Sequence, residues 1–169
     1  LPNKAEGWRK AGYTVQLMTG VAWGEYQDYL YGRWDGKNHW DEAQKERNGS
    51  LIQHGDDIPY IAPSKSYGMY LADGVKRAID LGIDTIFLEE PEFWVRAGYS
   101  DSFKREWQDY YHEPWQPPYS SPEAQYRASK LKYFLYRRAL QQVFTESRKY
   151  GQTKGMNVRC FVPTHSMLN

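Results

Sequence analysis

The stretch DTIFLEEPEFW (84–94) sets Glu89, Glu90 and Glu92 around Pro91 at the end of an apolar run. Such a run reads as a buried strand, and side chains along a strand alternate between its two faces. Glu89 and Glu90 therefore point to opposite sides, and only one can face a cleft at the strand end. Periodicity leaves open which, because Phe87 and Leu88 are both apolar. Carboxyls placed this way suit general acid–base chemistry. Glycosidic cleavage needs two of them across the bond, one with a raised pKa to protonate the leaving group. Phe93 and Trp94 adjoin the acids, and burial beside them would raise a Glu pKa by desolvating its anion. Magnesium is a second possible occupant of paired carboxylates. That reading needs further acids ending neighbouring strands, and the strand candidates on either side end in APS (62–64) and PTHS (163–166). The blander alternative is a set of solvated acids at a strand end.

Aromatic residues make up 17% of the chain, with 7 Trp and 15 Tyr. A small core cannot hide so many, so a share of them should line a surface or cleft. Trp23, Trp34 and Trp40, with Asp35 and His39 between them, lie in one long loop. They are candidate sugar platforms, since the apolar face of a pyranose stacks on a ring; packing within the loop is the alternative. Trp94 is a further candidate platform beside the acids. Tyr67 opens a helix after PSKS (63–66) and either reaches the cleft or packs at the helix start. His165, in PTHS, follows a strand and is the best-placed histidine for a sugar hydroxyl or for tuning a Glu. His54 and His112 stand isolated, and no His pair has metal-helix spacing.

The elements that must position these residues alternate strand and helix. Strands are expected at YTVQLMTG (13–20), DIPYIAP (57–63), IDTIFLEE (83–90) and NVRCFVPTHS (157–166). Between the first two runs a long aromatic loop, 21–57, with a short helix in 40–49. A helix over 67–81 buries Leu71, Val75, Ala78 and Ile79 and ends at Gly82. Residues 100–111 form a helix capped by Ser100 or Asp101. A Pro-rich insertion, 112–122, precedes a long helix over about 122–150, opened by Pro122 and closed by Gly151, with Leu131, Leu135, Ala139 and Val143 as its buried stripe. Its basic residues Lys130, Lys132, Arg137 and Arg138 read as a solvated face or as salt-bridge partners of Glu146 and its neighbours. Alternation of this kind implies parallel strands. No βα turn carries a nucleotide-binding glycine motif, and the decorated loops follow strands. The expected class is α/β, a partial (β/α)8 TIM barrel with about half the strands, residues 1–169 forming one fragment of it.

The strand-end motif EEP (89–91) resembles the Asn-Glu-Pro that ends the fourth strand in the large retaining clan of (β/α)8 glycoside hydrolases. The downstream layout is similar to family 42 β-galactosidases: AGYSDSF (97–103), FKREW (103–107), YYHEPWQPPY (110–119), YFLYRRALQQVF (133–144) and VRCFVPTHS (158–166). The likeness spans roughly residues 83–166. It implies that Glu90 is the acid/base and that Glu89 replaces the Asn contacting the sugar 2-hydroxyl, with Glu92 as rival. It also implies a nucleophile beyond this chain, a carbohydrate substrate, and a bacterial, secreted or periplasmic protein. Whether such an enzyme would retain or invert is left open, as are the sugar and linkage. The competing readings are a non-catalytic carbohydrate-binding or structural barrel derivative and, last, a metal-dependent barrel enzyme.

The bulk numbers set limits. A net charge of +1 gives no electrostatic case for nucleic acid or an anionic membrane. One cysteine, Cys160, excludes an internal disulfide and reads as an inert buried thiol. No cofactor is implied. The chain opens LPNKAEGW without Met, so it reads as a piece whose partner is the rest of a barrel or another copy of itself.

Overall fold

The computed structural model describes residues 2–163. The sheet that carries the acids has three strands: β1 (Leu17–Gly20), β4 (Thr85–Glu89) and β5 (Arg159–Phe161). Both pairings are parallel, in the order β1-β4-β5, so strands adjacent in space are consecutive members of the sheet along the chain. The class is α/β, with five α-helices among the described residues: α1 (Pro2–Lys10), α2 (Gln27–Leu30), α3 (Lys65–Asp80), α4 (Asp101–Tyr111) and α5 (Pro122–Thr153).

The strand expected over 57–63 is not part of this sheet. Residues Gln53–Gly55 (β2) and Ile58–Pro59 (β3) form a separate antiparallel hairpin. Pro59 and Pro63 lack the N–H groups a central strand must donate, and past the hairpin Ile61 N–H donates to Ala22 O, just beyond β1, at 2.8 Å. Among the described residues the parallel sheet therefore has three strands where four were expected. The helix expected in 40–49 shrinks to one 3-10 turn, Trp40–Glu42. The first strand begins at Leu17 and not Tyr13, because the preceding residues close helix α1, with Tyr13 N–H donating to Trp8 O.

The long helices form where the sequence signals them. Ser64 caps α3 by accepting from Tyr67 N–H at 3.1 Å. At its other end Gly82 takes φ +74°, Gly82 N–H donates to Ile79 O and Ile83 N–H to Ala78 O, the paired bonds of a Schellman stop. Ser100 caps α4 and Ser121 caps α5, each accepting from the N–H three residues on. Helix α5 runs through Gly151, which packs against Val158, and the chain turns at Gly155, φ +67°. Leu71, Val75, Ala78 and Ile79 are buried on α3, and Leu131, Leu135, Ala139 and Val143 on α5, as the spacing required.

The sheet has one covered and one open face. Ile86 and Leu88 are fully buried in the core that also holds Leu71, Val75, Ile79, Tyr136 and Val143 of α3 and α5. The alternate residues Met18, Phe87 and Phe161 stand side by side across the three strands. Phe87 stacks on Phe161 at 5.1 Å, yet Met18 is 60% and Phe161 45% exposed. Among the described residues no strand pairs with the outer edge of β1 or β5. Phe103 and Trp107 of α4 and Leu131 and Leu135 of α5 form a second, smaller core.

Candidate functional site

Alternation along β4 sets Glu89 on the open face with Phe87, beside Gly20 of β1. Gly20 has no room for a side chain, because a Cβ there would strike the Trp23 carbonyl. The missing side chain lets the chain leaving β1 fold tightly over the strand end. Val21 N–H then donates to Glu89 O at 3.0 Å, and Tyr26 sits at the same edge, its hydroxyl bonded to Gly20 O and 3.2 Å from Thr19 Oγ1. Burial pushes the Tyr26 phenol up to about 12, with the Glu89 charge adding to the same direction.

Alternation stops at Glu90, which takes a left-handed φ of +53°. A non-glycine residue there is uncommon and carries local strain. Its N–H donates to Pro163 O at 3.3 Å, extending the β4–β5 ladder one step past the strand. The turn carries Glu90 and Glu92 to a shared patch with Tyr60, Trp94 and His54. Glu92 is raised by burial first and by the Glu90 charge second, with His54 acting against both. Tyr60 is raised by burial and by the charges of Glu92 and Glu90. Tyr60 meets Trp94 edge-on at 5.4 Å, and His54 stacks on Trp23 at 3.5 Å. The acids thus stand beside an aromatic wall formed by Trp23, Tyr60 and Trp94. His54, isolated in sequence, joins them because hairpin β2–β3 folds it over Trp23.

Three buried polar side chains hold the acid loop. Gln44, fully buried, donates from Nε2 to Glu92 O at 3.0 Å while its Oε1 accepts from Trp94 N–H at 3.0 Å. Tyr136 donates to Ile61 O at 2.7 Å and lies 3.2 Å from Glu92 O. Lys132 Nζ donates to Trp94 O and Val95 O at 3.0 and 2.9 Å. Lys132 therefore departs from the solvated face expected of it. Arg138 also turns inward, to a two-pronged pair with Glu106, and Glu146 pairs with Lys76 of α3. No motif announced the loop-holding set, since single Gln, Tyr and Lys residues in helices and loops carry no spacing signal.

The remaining candidates lie elsewhere. Trp34 packs against Tyr29 and Tyr70 and donates Nε1–H to Asp73 at 3.1 Å, so it belongs to the α3 side of the long loop. Tyr67 is fully buried with its hydroxyl donating to Val21 O at 3.0 Å, which is the packing role and not an open platform. Asp35 and His39 belong to a relay that runs inward from the surface: His39 bridges Asp35 at 3.1 Å and the buried Glu42 at 3.2 Å, and Tyr29 donates to Glu42 at 2.8 Å. Burial raises the Glu42 carboxyl. His112 is the left-handed cap of α4. Cys160 is half-buried and not fully enclosed. His165 lies outside the described residues. Among the described residues no three His, Cys, Asp or Glu side chains converge as a metal site, and no helix is long and apolar enough to cross a membrane.

No protein-family model matches the chain, and no curated protein matches it.

Proposed function

We propose that the chain is part of a (β/α)8 glycoside hydrolase in which Glu90 is the general acid/base, acting on an oligo- or polysaccharide. The observation that carries this reading is the patch at the carboxyl end of β4, where Glu90 and Glu92 adjoin Tyr60, Trp94, Trp23 and His54. Parallel strands adjacent in chain order, with the functional loops after their carboxyl ends, fit a barrel segment. The open row Met18–Phe87–Phe161 fits an inward layer that further strands would complete.

Glu90 protonates the glycosidic oxygen and then, as carboxylate, activates water. Glu92 is its rival for the acid role. Gln44, Tyr136 and Lys132 fix the loop so that neither carboxyl must be ordered at the moment of reaction. The partner carboxylate comes from the rest of the barrel. Glu90→Gln in the full-length protein should abolish hydrolysis of an aryl glycoside while sugar binding survives; unchanged turnover would overturn the assignment.

A further inference from the structure

A groove of about 440 Å³ runs behind the acid loop, between Pro91, Phe93 and Val95 on one side and α5 on the other. Its lining is mostly apolar, with Tyr136, Leu140 and Phe144 along the helix. Among the described residues Lys132 and Arg137 are its only charged lining residues, and no Asp or Glu contributes. Lys132 is the telling member. It is 8% exposed, it has no carboxylate partner among the described residues, and its Nζ uses two of three donors on backbone carbonyls. A buried ammonium is normally paired with an anion. The Phe93 ring lies 5.3 Å from the same Nζ.

We propose that this groove binds an amphiphilic carboxylate, with its alkyl or aryl body along Phe93, Leu140 and Phe144 and its carboxylate on Lys132 and Arg137. Charge complementarity selects an anion, and the apolar lining selects a hydrophobic body over a simple salt. Burial lowers the Lys132 amine to about 8, and an incoming carboxylate would favour its charged form. The ligand would touch Pro91 and Phe93, which alternate along the chain with Glu90, Glu92 and Trp94. The groove shares Lys132 with the set that holds the acid loop, but ligand binding in it does not require those acids to be hydrolytic.

The test is calorimetric titration of the chain with decanoate below its micelle concentration, at pH 7, with decanol as the uncharged comparison. Saturable binding of one decanoate, with decanol at least about tenfold weaker, is expected. Lys132→Met should weaken decanoate about tenfold or more, and Lys132→Arg should keep it within a few-fold. Ser129→Trp, at an exposed position on the groove wall, should block binding while the thermal midpoint is unchanged, which separates loss of the site from loss of the fold. Absence of saturable binding to wild type, equal affinity for decanol, or undiminished binding to a folded Ser129→Trp chain would each overturn the proposal.

Discussion

Gln44 holds Trp94 from 50 residues away: its side-chain Oε1 accepts the Trp94 backbone N–H while its Nε2 donates to Glu92 O, so one amide spans the acid loop as a strand neighbour would. Both bonds are made by a fully buried side chain. A buried backbone donor or acceptor left without a partner costs about 1–3 kcal/mol. Gln44→Leu should therefore destabilise the fold by about 2–4 kcal/mol. Urea denaturation with an unchanged m-value is the measurement. A loss under about 0.5 kcal/mol would mean that the loop is held by other contacts.

Tyr136→Phe probes the same loop from α5. The hydroxyl donates to Ile61 O at 2.7 Å and the ring stays in the core, so the change removes a bond and little packing. The expected loss is about 1–2 kcal/mol. With Gln44→Leu the effects should not add, because Gln44 Nε2 also bonds Ile61 O and lies 3.4 Å from the Tyr136 hydroxyl. Additivity in a double-mutant cycle would show that the two act separately.

How much of this was legible beforehand differs by element. The helices α3, α4 and α5 show their caps and apolar stripes in sequence because those signals are local: Ser64, Ser100 and Ser121 each bond a backbone N–H three residues away. The acid-bearing strand was legible for the same reason. DIPYIAP misleads because an apolar run with prolines resembles a short strand, and only tertiary pairing decides that it goes into a separate hairpin. Glu90 escapes the alternation argument because its left-handed φ ends the strand geometry one residue early. Gln44, His54 and Lys132 were unreadable as site residues. Each acts on atoms far along the chain, His54 through a hairpin and Lys132 through the depth at which α5 packs.

Glu90 and Glu92 can be separated by titration. The Glu92 carboxyl is raised partly by the Glu90 charge, so Glu90→Gln should lower the pH at which Glu92 titrates. Carbon-13 NMR of labelled Glu side chains follows this directly. In the full-length protein, hydrolysis lost in Glu90→Gln by about 10²–10⁴-fold but kept in Glu92→Gln supports Glu90 as the acid. The reverse pattern would pass the role to Glu92.

Lys132 gives the stability curve a definite slope. Its amine falls from 10.5 to about 8 through burial, so between those values the folded chain holds fewer protons than the unfolded chain. Stability contributed by this site therefore rises with pH across that window. One pKa unit is worth about 1.4 kcal/mol, so the rise from pH 8 to 10 approaches roughly 2–3 kcal/mol. Above pH 10 the buried tyrosines, whose phenols are raised, act in the opposite sense. Urea midpoints of wild type and Lys132→Met at pH 8, 9 and 10 test this. Parallel curves would mean that Lys132 is charged in the fold throughout.

The open sheet face should make this chain self-associate. Met18, Phe87 and Phe161 form an in-register apolar row flanked by edges of β1 and β5 that pair with no strand among the described residues. Exposed parallel edges invite pairing with another chain, and the apolar row adds a hydrophobic incentive on the same surface. Sedimentation velocity of the chain alone should show mass increasing with concentration. Phe161→Lys, on a residue 45% exposed, adds a charge to the row and an edge strand without opening the core. It should shift the distribution toward monomer, with the thermal midpoint of the dilute protein nearly unchanged. A wild-type chain that stays monomeric at high concentration would overturn this expectation. Association unaffected by Phe161→Lys would place the contact on another surface.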